Sequence, residues 1–298
     1  MTPPAIDVLA HHGRTFHLAS YLLPQDRRHD AAVLYAFCRN VDDLADEAPD
    51  PTSAHEAIEG VLEELRGQRE PRPWVSAFLQ VAERRTIDLG PAEDLCTAVL
   101  GDLQTVRVQN DTELFRYGYG VAGTVGLLMC GVLGVRDPAA LPRAVDLGIG
   151  MQITNICRDV KEDAERGRVY LPAQRLRAAG VDPEALVAGH ADPKAVAQVV
   201  CDLIEVADQF YRSGDQGLRA IPMPARAAIL VASRVYRAIG VRLGAHHAYN
   251  PLHGRTVVPM GRRLWLALGS VLELFQPRYW AGPVGAHRPL PELSTLRG

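Results

Sequence analysis

Apolar residues recur every three to four positions through most of this 298-residue chain, the spacing that returns side chains to one face of an α-helix. The pattern predicts helices over Ala31–Glu47, Ala54–Gly67, Trp74–Leu89, Ala92–Val106, Asp111–Gly134, Ala139–Glu165, Pro193–Arg212, Pro224–Leu243 and Gly261–Leu274. Alternating polar and apolar runs joined by Asn-Gly or Asp-Gly are missing, so no sheet is expected. Breaks such as Glu47-Ala-Pro-Asp-Pro51, Pro71-Arg-Pro73 and Gly180-Val-Asp-Pro183 are too short for an interdomain linker. The expected fold is an all-α helical bundle, with residues 1–275 as one domain. From residue 276 the chain turns rich in Pro and Gly and loses periodicity, which reads as a surface tail over 276–298.

One segment is apolar all round. Tyr117 to Val135 holds 19 residues without a charge, bounded by Arg116 and Arg136, just long enough to cross a bilayer. Six of them are glycines, which suit close helix packing in a protein core. A lone span would also split the chain into two weak halves, so a buried helix is expected and no transmembrane span. Composition is otherwise that of an ordinary globule: 47% hydrophobic, 22% charged, formal net charge −3. With no basic excess there is no electrostatic case for nucleic acid. Five cysteines stand singly, with no Cys-x-x-Cys, which argues against disulfides or zinc and for a reducing compartment. The start, MTPPAIDVLAHHGRTF, lacks a basic residue run followed by an apolar core, so no secretory leader is expected.

The chemistry concentrates in two acidic stripes. Tyr35, Arg39, Asp42 and Asp46 are spaced by four, three and four residues, and Gln152, Asn155, Asp159 and Asp163 by three, four and four. Each set falls on one helix face. Like charges at i,i+4 destabilise a helix by a few tenths of a kcal/mol. One such pair is usually a solvated face. Two, in helices otherwise rich in apolar residues, point to a cationic partner between them. Oxygen-only ligands favour a hard ion, and Mg²⁺ is typically held by one or two carboxylates together with substrate phosphates. Arg39 and Arg158, on the same helices, add bidentate donors for phosphate. Asp43, one position off the stripe, reads as surface.

At these residues the sequence resembles the squalene and phytoene synthase family of head-to-head prenyl synthases. The likeness runs from about Thr15 to about Arg263. It is carried by Thr15-Phe16 with Ser20-Tyr-Leu-Leu-Pro24, Leu34-Tyr-Ala-Phe-Cys-Arg39, Asp42-Asp-Leu-Ala-Asp46 and Gly101-Asp102. Further on it takes in Tyr117-Gly-Tyr-Gly-Val-Ala-Gly-Thr-Val-Gly126, the block from Gln152 to Asp163, and Gly167-Arg-Val-Tyr-Leu-Pro172. The resemblance implies an isoprenoid-synthase-type bundle with a central apolar channel capped by a metal site. It implies condensation of two prenyl diphosphates through a cyclopropyl diphosphate, most readily two geranylgeranyl diphosphates to phytoene. Two farnesyl diphosphates going to dehydrosqualene or presqualene diphosphate are the alternative.

Carried over residue by residue, Asp42, Asp46, Asn155, Asp159 and Asp163 look like ligands of two or three Mg²⁺ ions. Tyr35, Arg39, Gln152, Arg158 and Arg255 look like diphosphate and active-site contacts. Thr15, Phe16 and Val121 join the substrate-binding set. Tyr117 matches the family's tyrosine near the reacting carbons, with Tyr236 similarly placed. A face of Tyr117, Val121, Thr124 and Leu128 is expected to line the channel. Two positions depart from the family pattern. Gly13 stands where a serine is common, which removes one hydroxyl toward the diphosphate, and His17 stands where an aromatic residue is common. The chain resembles members without the C-terminal membrane anchor of eukaryotic squalene synthases. It shows no Gly-rich dinucleotide loop, so NADPH is not expected. A cytoplasmic enzyme follows, with peripheral membrane association for product release left open.

Two other readings compete. Asp42-Asp43-x-x-Asp46 with Asn155, Asp159 and Asp163 would also serve a class I terpene cyclase or a chain-elongating synthase. Val121-Ala-Gly-Thr-Val-Gly126 and Arg168-Val-Tyr-Leu-Pro172 favour head-to-head chemistry over these. A non-enzymatic helical membrane or scaffold protein rests on the uncharged stretch alone.

Overall fold

The computed structural model describes residues 5–12, 14–280, 284, 285 and 287. The described residues are helical with no strand; one isolated parallel bridge joins Arg107 and Val169. The helices are α1 (Ala5–His12), α2 (Arg14–Ser20), α3 (Gln25–Asp46), α4 (Pro51–Leu65), α5 (Pro73–Arg85), α6 (Gly90–Gly101) and α7 (Asp111–Gly118). A π-helical turn, Tyr119–Gly123, leads into α8 (Thr124–Leu133). There follow α9 (Leu141–Glu165), α10 (Ala173–Ala178), α11 (Pro183–Val187), α12 (Pro193–Gly217), α13 (Ala225–His247) and α14 (Met260–Glu273). None of them is long and apolar enough to cross a membrane.

α9 is the central element, packed against the π turn, α8, α12 and α13. One apolar cluster joins α3 to α6, with Phe37 stacked on Phe78 at 4.1 Å between centroids. A second joins α9 to α12, where Phe115 meets Phe210 edge-on at 5.1 Å. The glycines of the uncharged run act at the α8–α9 crossing. A Cβ on Gly126 would lie 2.6 Å from the Ala144 carbonyl oxygen, and one on Gly148 would lie 2.4 Å from that of Ala122. Only glycine allows these backbones so close.

Several expected boundaries move, each for a physical reason. α3 begins at Gln25 rather than Ala31 because its polar first turns are held by charge: Asp30 is buried and binds Arg84 and Arg85, which also reaches Asp26. α6 stops at Gly101, short of Val106, and α12 runs on to Gly217. Short helices α1, α2, α10 and α11 lie below the length at which periodicity is readable.

The expected single helix Asp111–Gly134 is broken in register by the π turn. That turn inserts a residue and rotates the next helix by about 100°. Thr124 and Leu128 are consequently fully buried in the core, and Val125, Met129 and Leu133 take the channel side instead. In the 276–298 segment Tyr279 and Val284 are buried while their described neighbours stay exposed. Tyr279 is 1% exposed, its hydroxyl donates to Glu273, and Arg234 binds Glu273, Asp215 and Tyr279. The rest of that segment and Gly13 lie outside the described residues.

Candidate active site

Two cavities meet at the middle of the bundle. The first is an apolar channel of about 320 Å³. Its walls come from α2 (Phe16, Ala19), α3 (Leu34, Tyr35), α8 (Val125, Met129) and α13 (Ala232, Tyr236). The second, of about 300 Å³, is polar and is lined by Arg39, Asp42, Asp46, Asp102, Asp159 and Asp163, with Arg166 and Arg168. Asp42, Val121, Gln152 and Asn155 line both. These four mark the junction between the apolar and charged compartments.

Helical spacing explains the division along α3. Tyr35 points into the channel below Asp42, and Arg39 and Asp46 face the polar chamber. On α9, Gln152 and Asn155 sit at the junction and Asp159 and Asp163 above it. The chamber is densely ion-paired. Arg39 binds Asp43, so Asp43 is a half-buried partner of Arg39 and not the surface residue its spacing implied. Arg168 and Arg166 reach Asp46 at 3.1 and 3.5 Å. Arg158 donates to Asp159 at 2.7 Å, and Arg255, half exposed at the rim, lies 3.3 Å from Asp159 and 3.7 Å from Glu162.

Two of the stripe aspartates, Asp42 and Asp163, are withdrawn from water. Burial pushes the Asp42 carboxyl up to about 7, with Asp46, Asp43 and Asp102 adding to it against the opposing pull of Arg39. Burial and the charge on Asp159 push Asp163 up to about 7. The Asn155 amide donates to Gln152 at 3.3 Å, but its Oδ1 is buried without a hydrogen-bond partner. A buried acceptor beside carboxyls that burial and like charge make costly to ionise fits a hard cation, which would favour their ionised form. Among the described residues no three His, Cys, Asp or Glu side chains converge as a self-sufficient metal cage.

Periodicity assigns Tyr117 to the apolar channel, but it lines the polar chamber. Its hydroxyl donates to Asp102 at 3.1 Å, and its ring stacks on Tyr170 with centroids 4.7 Å apart. Burial holds the phenol well above its ordinary pKa, so it stays protonated. Asp102 is itself pushed up to about 6 by burial, against the pull of the Tyr117 hydrogen bond. Tyr236 lies in the channel, 5.4 Å from the Phe16 ring, which is in turn 6.3 Å from Tyr35. Three aromatic faces thus gather below the junction. Thr15 lies in α2, with its side chain outside the described residues.

Asp102, Arg166, Arg168 and Tyr170 receive no role from helical spacing. Asp102 and Arg166 cap the C-terminal ends of α6 and α9, and Arg168 and Tyr170 flank the extended pairing of 106–108 with 169, in which Val108 N and Val169 N donate across at 3.1 Å. No helical period reports such a loop contact. The only sequence signal is the place of Asp102, Arg168 and Tyr170 in the Gly101-Asp102 and Gly167–Pro172 blocks.

Comparison with known proteins agrees with this geometry. Residues 9–262 match the family model described as squalene/phytoene synthase. The chain is 35% identical to the phytoene synthase of Rhodobacter capsulatus, over 95% of this chain and 89% of that protein. It is 41% identical to the phytoene synthase of Thermus thermophilus, over 78% and 79%. Among solved structures, a dehydrosqualene synthase in complex with a ligand superposes with a TM-score of 0.82 at 25% identity, over 91% of this chain and 95% of that one. A family match across most of the chain, an all-α bundle, and a channel ending at two facing acidic helices agree: the chain is a prenyl-transferring enzyme and belongs to the squalene/phytoene synthase family.

Proposed function

We propose that the enzyme joins two molecules of geranylgeranyl diphosphate head to head, through a cyclopropyl diphosphate, to give phytoene. The observation that carries this reading is the junction of an apolar channel with a chamber of carboxylates and arginines. A prenyl diphosphate has the same division, and the C–O bond that breaks lies at its boundary. Similarity to proteins named phytoene synthase supports the C20 substrate. The superposition on a dehydrosqualene synthase supports a second reading, two farnesyl diphosphates joined to dehydrosqualene or presqualene diphosphate.

In this reading Asp42, Asp46, Asn155, Asp159 and Asp163 hold two or three Mg²⁺ ions against the diphosphate. When bound, such ions neutralise charge on the oxygens of the leaving group. Arg39, Arg158 and Arg255, with Arg166 and Arg168 beside them, offer planar donors to phosphate, and Gln152 fixes its position. Phe16, Tyr35 and Tyr236 present aromatic faces to the allylic cation in the channel, while Thr15 and Val121 seat the chain. Apolar walls keep out water that would capture the cation as an alcohol.

Each half-reaction releases one diphosphate and one proton, so the overall conversion needs no reductant and NADPH takes no part. Tyr117, a neutral phenol held on Asp102, is positioned to stabilise charge or relay the proton near the reacting carbons. The enzyme works in the cytoplasm with peripheral membrane contact for its product. The test is competition: equal amounts of C15 and C20 diphosphates are supplied with Mg²⁺ and the extract is analysed by mass. A C40 hydrocarbon as main product supports the first reading; C30 alone replaces it with the second.

A further inference from the structure

The outer face of α14 is apolar and uncovered. Leu264, Trp265, Leu268, Val271, Leu272 and Phe275 are 38–79% exposed, and their spacing places them on one stripe of the helix. Met260 at the start of the helix and Trp280 just beyond its end are each 56% exposed. The opposite side is committed to the protein: Leu266 and Ala267 pack against the α2–α13 cluster, Ser270 and Leu274 are buried, and Glu273 binds Arg234. A contiguous exposed apolar stripe of this size marks an interaction surface.

Charge selects the occupant. The whole chain has a formal charge of −3, yet from Met260 to Trp280 it holds three arginines, no lysine and one acid, Glu273. That acid is engaged by Arg234 and Arg278, while Arg262 is exposed at the start of the stripe. Two copies of the chain meeting through this face would bring like charges together. An anionic lipid surface meets both features at once, because Trp, Phe and Leu enter the headgroup boundary while arginines hold lipid phosphates. The position suits the chemistry. α13 lines the channel with Ala228, Ala232 and Tyr236, and Val231 and Val235 of the same helix share a cluster with Leu266 and Ala267. One helix layer separates the stripe from the channel.

We propose that the outer face of α14, from Met260 to Phe275 with Trp280, docks the enzyme on an anionic phospholipid bilayer beside its channel. The purpose rests on the proposed function, in which a long hydrocarbon has to pass from channel to lipid. The docking is tested without substrate. Vesicles of phosphatidylglycerol and phosphatidylcholine in equal parts should carry the protein on flotation, and pure phosphatidylcholine vesicles should carry much less. Added salt should weaken the binding, and tryptophan emission should shift to the blue, since two of the three tryptophans (Trp265 and Trp280) lie on this face.

The double substitution Trp265→Glu with Leu268→Glu should lower vesicle partitioning about tenfold or more. Turnover of detergent-dispersed substrate and melting temperature should stay unchanged. Phe275→Glu gives an independent variant beyond the helix. Unchanged flotation of both variants overturns the proposal. So does a wild-type dimer that the double variant converts to monomers, which would make the face a contact between copies. Absence of any prenyl product would strike the proposed function and leave the vesicle result standing.

Discussion

At the junction of the two cavities the Asp42 carboxyl is withdrawn from water and lies in the field of Asp43, Asp46 and Asp102. Folding without a cation therefore raises its pKa from the usual carboxylate range to about 7. The native state then binds a proton that the unfolded chain has lost, so this group's destabilisation is absent below about pH 4 and complete above about pH 7. Asp163, pushed up to about 7 by burial and Asp159, acts in the same direction. Asp42→Asn in metal-free protein should accordingly gain melting temperature relative to wild type, more at about pH 8 than at about pH 5. Its turnover should fall about 100-fold or more, because a charge that helps hold the cation is gone. A variant that melts with wild type at both pH values, or that releases diphosphate at a near-normal rate, would remove Asp42 from the metal set. Tyr117 calls for a different measurement. Tyr117→Phe removes the hydrogen bond to Asp102 and keeps the ring on Tyr170. The cyclopropyl intermediate should accumulate, with the second half-reaction slowed about 100-fold. An unchanged ratio of intermediate to hydrocarbon at an unchanged rate would make Tyr117 a packing residue only. The stripe residues are readable from sequence because charges at helical spacing stand out in an apolar helix. Asp102 and Tyr170 are not, because one caps the end of α6 and the other is brought in from a loop by the backbone pairing near residue 169.

Among the elements, the π turn between α7 and α8 and the crossing of α8 with α9 set the shape of the channel. Periodicity locates the uncharged helix correctly but assumes an unbroken 3.6-residue turn, so it sends Thr124 and Leu128 to the channel when both are in the core. The early start of α3 is hidden for another reason: its first turns are polar and are held by Arg84 and Arg85, some 55 residues away in sequence. The crossing itself can be tested by thermal unfolding. Gly148→Ala would put a Cβ 2.4 Å from the Ala122 oxygen and should destabilise by about 1–3 kcal/mol. Gly269→Ala, in α14 with nothing within 4 Å, should stabilise by about 0.5–1 kcal/mol. Equal melting temperatures for the two variants would mean the close approach is not a structural constraint. Arg234 joins α13 to the α12 and α14 ends through Asp215, Glu273 and Tyr279, and holds the Glu273 carboxyl down at about 2. Arg234→Met leaves Asp215 half-buried without its cation, while Glu273 keeps Arg278 and the Tyr279 hydroxyl, and should lower stability by about 1–3 kcal/mol. A melting temperature within a degree of wild type would show that Asp215 escapes to water.

For the molecule as a whole, the bundle places a hydrocarbon compartment and a charged compartment end to end, with Asp42, Val121, Gln152 and Asn155 between them. Helix faces and the two acidic stripes are legible in the chain because each is a local pattern. The depth of the channel is not local. It is set by side chains from α2, α3, α8, α9 and α13 together, which is why no stretch of sequence reports the length of prenyl chain it holds. The same architecture would serve a cyclase if only one substrate bound, so the distinguishing property is how many diphosphates leave per product. The direct measurement supplies C20 diphosphate as sole substrate with Mg²⁺ and no NADPH, then counts released diphosphate against the mass of the extracted product. The account predicts a C40 hydrocarbon with two diphosphates released per molecule, and no change in rate or product on adding NADPH. A C20 cyclic product with one diphosphate per molecule, or a product reduced only when NADPH is present, would contradict it.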